Sequence, residues 1–127
     1  MAVGISSYLA NKLLDHATGR ASFTVPAGCY AKIHTGDPGA NGTANASAVT
    51  TRAAVTFAAA TGGAISMNNT PEFTLTGSET ISHVSFWDAS NSGNFLWSAS
   101  ATVSKAGGSG DIIRISTEQV TLGALAS

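Results

Sequence analysis

The chain has 127 residues, a net charge of −1 and one cysteine, Cys29. That length is one ordinary domain, here taken as residues 1–127, and the near-neutral charge with scattered Lys and Arg leaves no electrostatic footprint for nucleic acid. A single thiol neither staples the fold internally nor makes a zinc site alone.

The N-terminal stretch reads as a helix. Ile5, Leu9, Leu13 and Ala17 recur at the spacing of one helical face, with Tyr8 and Leu14 flanking the stripe. Ser6 or Ser7 caps the start, and Gly19 closes the end after Thr18. Lys12 and Asp15 lie off the stripe, so the helix is amphipathic, and residues 1–20 form a helix-and-cap unit ahead of a β region at 21–127. The start lacks the basic region and apolar run of a secretory signal. No stretch approaches the roughly 18 apolar residues that cross a bilayer. The expectation is a chain made in the cytoplasm of the producing cell, with no membrane partner.

After Gly19 the hydrophobic period falls to about 2. Phe95, Trp97, Ala99, Ala101 and Val103 alternate with polar residues, Leu96 being the exception; Val84 and Phe86, Val55 and Phe57, and Ile113 and Ile115 do the same. Strands are predicted near 29–35, 50–57, 63–68, 72–76, 80–88, 94–103, 111–116 and 118–122. Short strands with threonine on the open face and Gly/Asn/Ser loops between them indicate an all-β, antiparallel, jelly-roll-like sandwich. Ala89-Ser90-Asn91-Ser92-Gly93 is a hairpin loop that brings Trp87 and Trp97 onto neighbouring strands, and Lys105–Gly110 is a second turn.

Tyr30-Ala31-Lys32-Ile33-His34 runs as a strand into Thr35-Gly36-Asp37-Pro38-Gly39. Asp-Pro-Gly is turn chemistry: proline presets φ, glycine takes a positive φ, and the aspartate bonds its own backbone two residues on. Residues 36–49 form a long loop, of a length at which loops carry binding or assembly contacts.

Three histidines and seven carboxylates invite a catalytic reading, but their spacing does not support one. His16 sits near the helix C-terminus, where an imidazolium complements the dipole. His34 precedes the Asp37 turn, which a His34–Asp37 hydrogen bond would stiffen, and His83 lies mid-strand. No histidine pair has metal-ligand spacing, and the carboxylates are isolated among uncharged neighbours. Cys29 reads as a small buried hydrophobe. No catalytic residue, cofactor or metal site is predicted. Tyr30, Phe86, Trp87 and Trp97 are either core packing or a sugar-stacking platform; core is favoured, with Trp87 the exception because it alternates with Phe86.

Taken in order, Asp15-His16-Ala17-Thr18-Gly19-Arg20, the Ile33–Gly39 turn, Thr51-Arg52-Ala53-Ala54-Val55, Ser82–Asp88 and Gly93–Ser98 form a set that resembles small virion proteins of bacteriophages. The resemblance is to those of actinobacterial hosts in particular, usually described as tail fibre or minor structural proteins. It implies a non-enzymatic component of the virion; at this length, the subunit would be a tip, a sleeve or a capsid decoration.

Charged residues are only 10% of the chain, against about 25% in typical soluble domains. That deficit suits a subunit that buries much of itself against neighbours. The expectation is therefore a homotrimer that decorates or clamps other virion proteins of the capsid or tail. Its assembly candidates are Tyr8, Leu9 and Leu13 on the helix, His34, Asp37 and Pro38 at the turn, and Trp87. The alternative is a carbohydrate-binding fibre tip in which an exposed Trp87 stacks on a host-surface glycan.

Overall fold

The computed structural model describes residues 3–24 and 26–122, in which one helix precedes eight strands. Helix α1 spans Ser7–Ala17; the strands are β1 (Cys29–His34), β2 (Ala53–Val55), β3 (Ala64–Ser66), β4 (Glu72–Thr74), β5 (Glu79–Trp87), β6 (Phe95–Gly107), β7 (Ile112–Arg114) and β8 (Gln119–Thr121). The fold is mostly β, and its strand pairings are antiparallel.

Helix α1 has the expected ends. The Ser6 hydroxyl accepts from the Leu9 N–H at 3.1 Å, satisfying a donor that the first turn leaves free. Thr18 is the C-cap, and Gly19 follows at φ +76°, a left-handed position that L side chains resist. His16 is the basic residue of the last turn, as expected, and it makes a further contact. Its Nδ1 accepts from the Phe23 N–H at 3.2 Å, so the ring tethers the chain leaving the helix. The helix packs on β6, yet none of its residues is buried.

Four strands form one sheet in the order β2-β1-β5-β6. Its register sets Ala31 opposite Phe86 and Ala53, Ile33 opposite Val84, and Phe86 opposite Trp97. Alternation then places Cys29, Ala31, Ile33, Val55, Val84, Phe86 and Trp97 on one face. Phe86 and Trp97 stack at 4.6 Å between centroids, and Phe73, Leu75, Ile81 and Ile113 complete the buried cluster. The remaining strands pair as two ribbons, β3 with β8 and β4 with β7. Eight strands divided four, two and two differ from the two balanced sheets of a jelly roll. The cause lies in the short strands, three residues each in β3, β4, β7 and β8, which the frequent Gly, Asn and Pro breaks impose.

Strand β6 runs four residues beyond its predicted end, because Lys105, Ala106 and Gly107 pair with Ile81, Thr80 and Glu79. Two bulges interrupt that ladder. Leu96 is skipped between the Phe86–Trp97 and Trp87–Phe95 pairs, which explains why it breaks the alternation in the sequence. Residues 101–104 are also unpaired, lying between the Ser100–His83 and Lys105–Ile81 pairs, and Val103 there is 69% exposed.

The second face of the sheet is not an open, threonine-covered surface either. Ser85, Trp87, His34 and Leu96 are buried, where residues 36–49 and the N-terminal segment cover it. Ser6 N–H donates to the Leu96 carbonyl at 2.8 Å and Ser98 N–H to the Gly4 carbonyl at 2.9 Å, so part of the β6 edge is already paired.

This packing predicts that Phe86→Ala, which empties the centre of the stacked core, costs about 3–5 kcal/mol. Val103→Thr on the bulge should stay within about 0.5 kcal/mol. Urea denaturation followed by circular dichroism measures both.

Candidate functional site

The site is built where β1 ends. Asp37-Pro38-Gly39 turns as its sequence dictates: the Gly39 N–H donates to Asp37 Oδ1 at 2.8 Å, and Gly39 sits at φ +77°. The loop then doubles back on itself. Ala44 N–H donates to the Pro38 carbonyl at 2.9 Å, Asn45 Nδ2 to the Asp37 carbonyl at 2.9 Å, and Thr35 N–H to the Asn45 carbonyl at 2.8 Å. Pro38 is fully buried inside this turn, a position that suits a residue with no N–H to satisfy. Gly42 lies against the Phe95 ring at φ +73°; a Cβ there would come within 2.5 Å of the ring.

Two side-chain anchors hold the loop to the sheet. Glu79 accepts from Ser47 Oγ at 2.6 Å and from the Ala48 N–H at 2.9 Å. The second anchor is a chain of buried polar groups. Trp87 Nε1 donates to Ser85 Oγ at 2.8 Å, Ser85 Oγ meets His34 Nε2 at 2.7 Å, and His34 Nδ1 meets the Ala44 carbonyl at 2.9 Å. A carbonyl only accepts, so His34 Nδ1 carries the hydrogen; the neutral ring then accepts at Nε2, and the Ser85 hydroxyl donates to it. Every polar group in the chain is satisfied in that one arrangement. The ring nitrogens of His34 thus go to Ala44 and Ser85, in place of the bond to Asp37 suggested by their proximity in sequence.

Trp87 is 7% exposed, not the open platform that alternation with Phe86 suggests. The Arg52 guanidinium lies 4.1 Å from its ring centroid and donates to the carbonyls of Ala89 and Ser92, at 2.8 and 2.6 Å, and Phe95 packs on it at 5.5 Å. Arg52 thereby joins the ring to the hairpin loop, whose Asp88 accepts from Asn94 N–H and Nδ2.

The structure brings His34, Asp37, Pro38 and Trp87 together at one end of the sheet. Asp37 is half-buried, while His34 and Pro38 shape the loop from within. Tyr8, Leu9 and Leu13 belong to α1: the first two are half-buried and Leu13 is exposed. Arg52, Glu79 and Ser85 were not picked out from the sequence. Each acquires its role through a partner more than thirty residues away.

Ser85 and His34 have the contact of a nucleophile and its base, but both are fully buried, and His34 rests on a carbonyl where a catalytic pair has a carboxylate. Burial pushes the Cys29 thiol up to about 12, which keeps it from acting as a thiolate. Among the described residues no group of three or more His, Cys, Asp and Glu is placed to hold a metal ion. On the core side, a groove of about 820 Å³ runs between β6 and residues 113–119, with Met67, Ile81, Val103 and Ile115 in its lining. Glu118 lines it too, and burial raises its carboxyl above the usual range.

Over residues 4–123 the chain matches the family model described as podophage GP4 fiber I protein gp80. Among curated proteins none matches.

The loop geometry predicts unequal costs for two glycines. Gly42→Ala meets both a ring and an unfavourable φ, and should lose about 2–4 kcal/mol. Gly62→Ala, at φ +59° with open space around it, should lose about 1 kcal/mol. Paired urea titrations test the difference.

Proposed function

The chain belongs to the podophage GP4 fiber I protein family, a family of non-enzymatic virion structural proteins, and on that premise we propose that it is a homotrimeric subunit of the tail fibre. The observation that carries this is α1. It is an 11-residue amphipathic helix with no buried residue, and Leu14 on it is 64% exposed. Isolated helices of that length are marginal in water, so a neighbour that covers Leu13 and Leu14 would supply the missing stabilisation. Ile5, just before the helix, is exposed as well.

The low charge of the chain fits such a subunit, and closed symmetric association removes apolar surface without leaving an open end. Loop 36–49 would add a rigid second contact, with Asp37 half-buried at its turn. The core cluster draws on β1, β2, β4, β5 and β7, which supports a single folding unit over residues 1–127. Membership of a fiber-protein family favours the tail over capsid decoration, and the motif order supports a phage of an actinobacterial host. A glycan platform at Trp87 is disfavoured, since Arg52 and Phe95 already pack on that ring.

Light scattering across a dilution series should give three times the chain mass for the wild type. Replacing Leu13 and Leu14 together by Asp should give the monomer with the sheet intact by circular dichroism. A wild type that stays monomeric at high concentration would contradict the proposal.

A further inference from the structure

We infer that His34 is an acid-sensitive latch: protonation of its ring releases loop 36–49 from the sheet while the sheet itself stays folded. This concerns the conformation of the loop and stands whether or not the loop is an assembly contact.

The argument is one of donors and acceptors. In the closed loop Trp87 Nε1 donates to Ser85 Oγ, the Ser85 hydroxyl donates to His34 Nε2, and His34 Nδ1 donates to the Ala44 carbonyl. A second proton on the ring turns Nε2 into a donor. Ser85 Oγ then faces two donors, its own hydrogen loses its acceptor, and a full charge sits on a fully buried residue. The charged neighbours on the adjacent strand positions do not help. Lys32 on β1 and His83, the cross-strand partner of His34 on β5, both disfavour the imidazolium. Arg52 packs over Trp87 at the far end of the chain, and the carboxylate Glu79 is engaged with Ser47 and Ala48. Asp37 lies in the loop itself, with Gly39 N–H on its Oδ1. The Ala44 and Asn45 carbonyls favour the imidazolium, but burial outweighs them; the loop that covers His34 is the element whose departure brings the ring to water, whereas Ser85 and Trp87 are held in the β5 ladder.

The direction with pH follows from linkage. Burial lowers the His34 value below the ordinary 6.5, so the open loop binds the proton more readily than the closed one. The latch is at full strength above 6.5. Below it, the closed-to-open ratio falls by up to about tenfold per pH unit, until the lowered value is passed.

Amide hydrogen exchange of the intact protein, corrected for intrinsic rates, tests this. Between pH 7.5 and 5.0, protection at Thr35 and Ser47, whose N–H groups join the loop to the end of β1, should fall by up to about tenfold for each unit below 6.5, with β1, β5 and β6 unchanged. The same opening should persist in His83→Gln and be lost in His34→Gln. Should His34→Gln not fold, the NMR titration of the wild-type His34 ring replaces it: its midpoint must coincide with that of loop opening. The inference is overturned by protection that does not change with pH, by opening that disappears in His83→Gln, by parallel loss across the sheet, or by midpoints that differ.

Discussion

One hydrogen-bonded chain, Trp87 to Ser85 to His34 to the Ala44 carbonyl, ties the loop end of this protein together. It exists because the β1–β5 register sets Lys32 opposite Ser85 and His34 opposite His83, which leaves His34 and Ser85 as same-face diagonal neighbours. The same register puts Ala31, Ile33, Val84 and Phe86 on the other face, where the apolar core forms. A slip of one residue would exchange the two faces and ruin both. Removing one member of the chain strands a buried polar partner, at a cost of about 1–3 kcal/mol.

With that end of the sheet closed, the remaining exposed apolar surface lies elsewhere, on α1, on the bulge of β6 and at Ile112 and Leu122. Small side chains limit how much each element buries, and few charges offset what stays exposed. For a free-standing domain this would be a liability; in the proposed assembly it is the surface that neighbours would cover. In the proposed assembly the loop would offer a preformed contact and the helix one completed on association.

Much of the local structure was legible in the sequence. The helix with its Ser6 cap and Gly19 stop, all eight strands, the 89–93 hairpin and the Asp37–Gly39 turn rest on neighbours within a few residues. What was not legible depends on register. Trp87 alternates with Phe86 and so faces the other way, but a long loop and Arg52 cover that side too, and no local pattern announces this. Leu96 stood out as an irregularity, yet only the pairing shows it to be a bulge. His34 stands close to Asp37 in sequence, whereas its hydrogen-bond partners are Ser85 and Ala44. The division of eight strands into one sheet and two ribbons was hidden for the same reason, since strand length and spacing do not specify partners.

The central claim is that His34 is a neutral, doubly engaged ring inside the protein. Nitrogen-15 NMR of the histidine rings at neutral pH measures this directly. The account predicts a His34 ring protonated at Nδ1 and bare at Nε2, without exchange between tautomers. A ring protonated at Nε2, or one averaging between the two forms as a solvent-exposed histidine does, would contradict it.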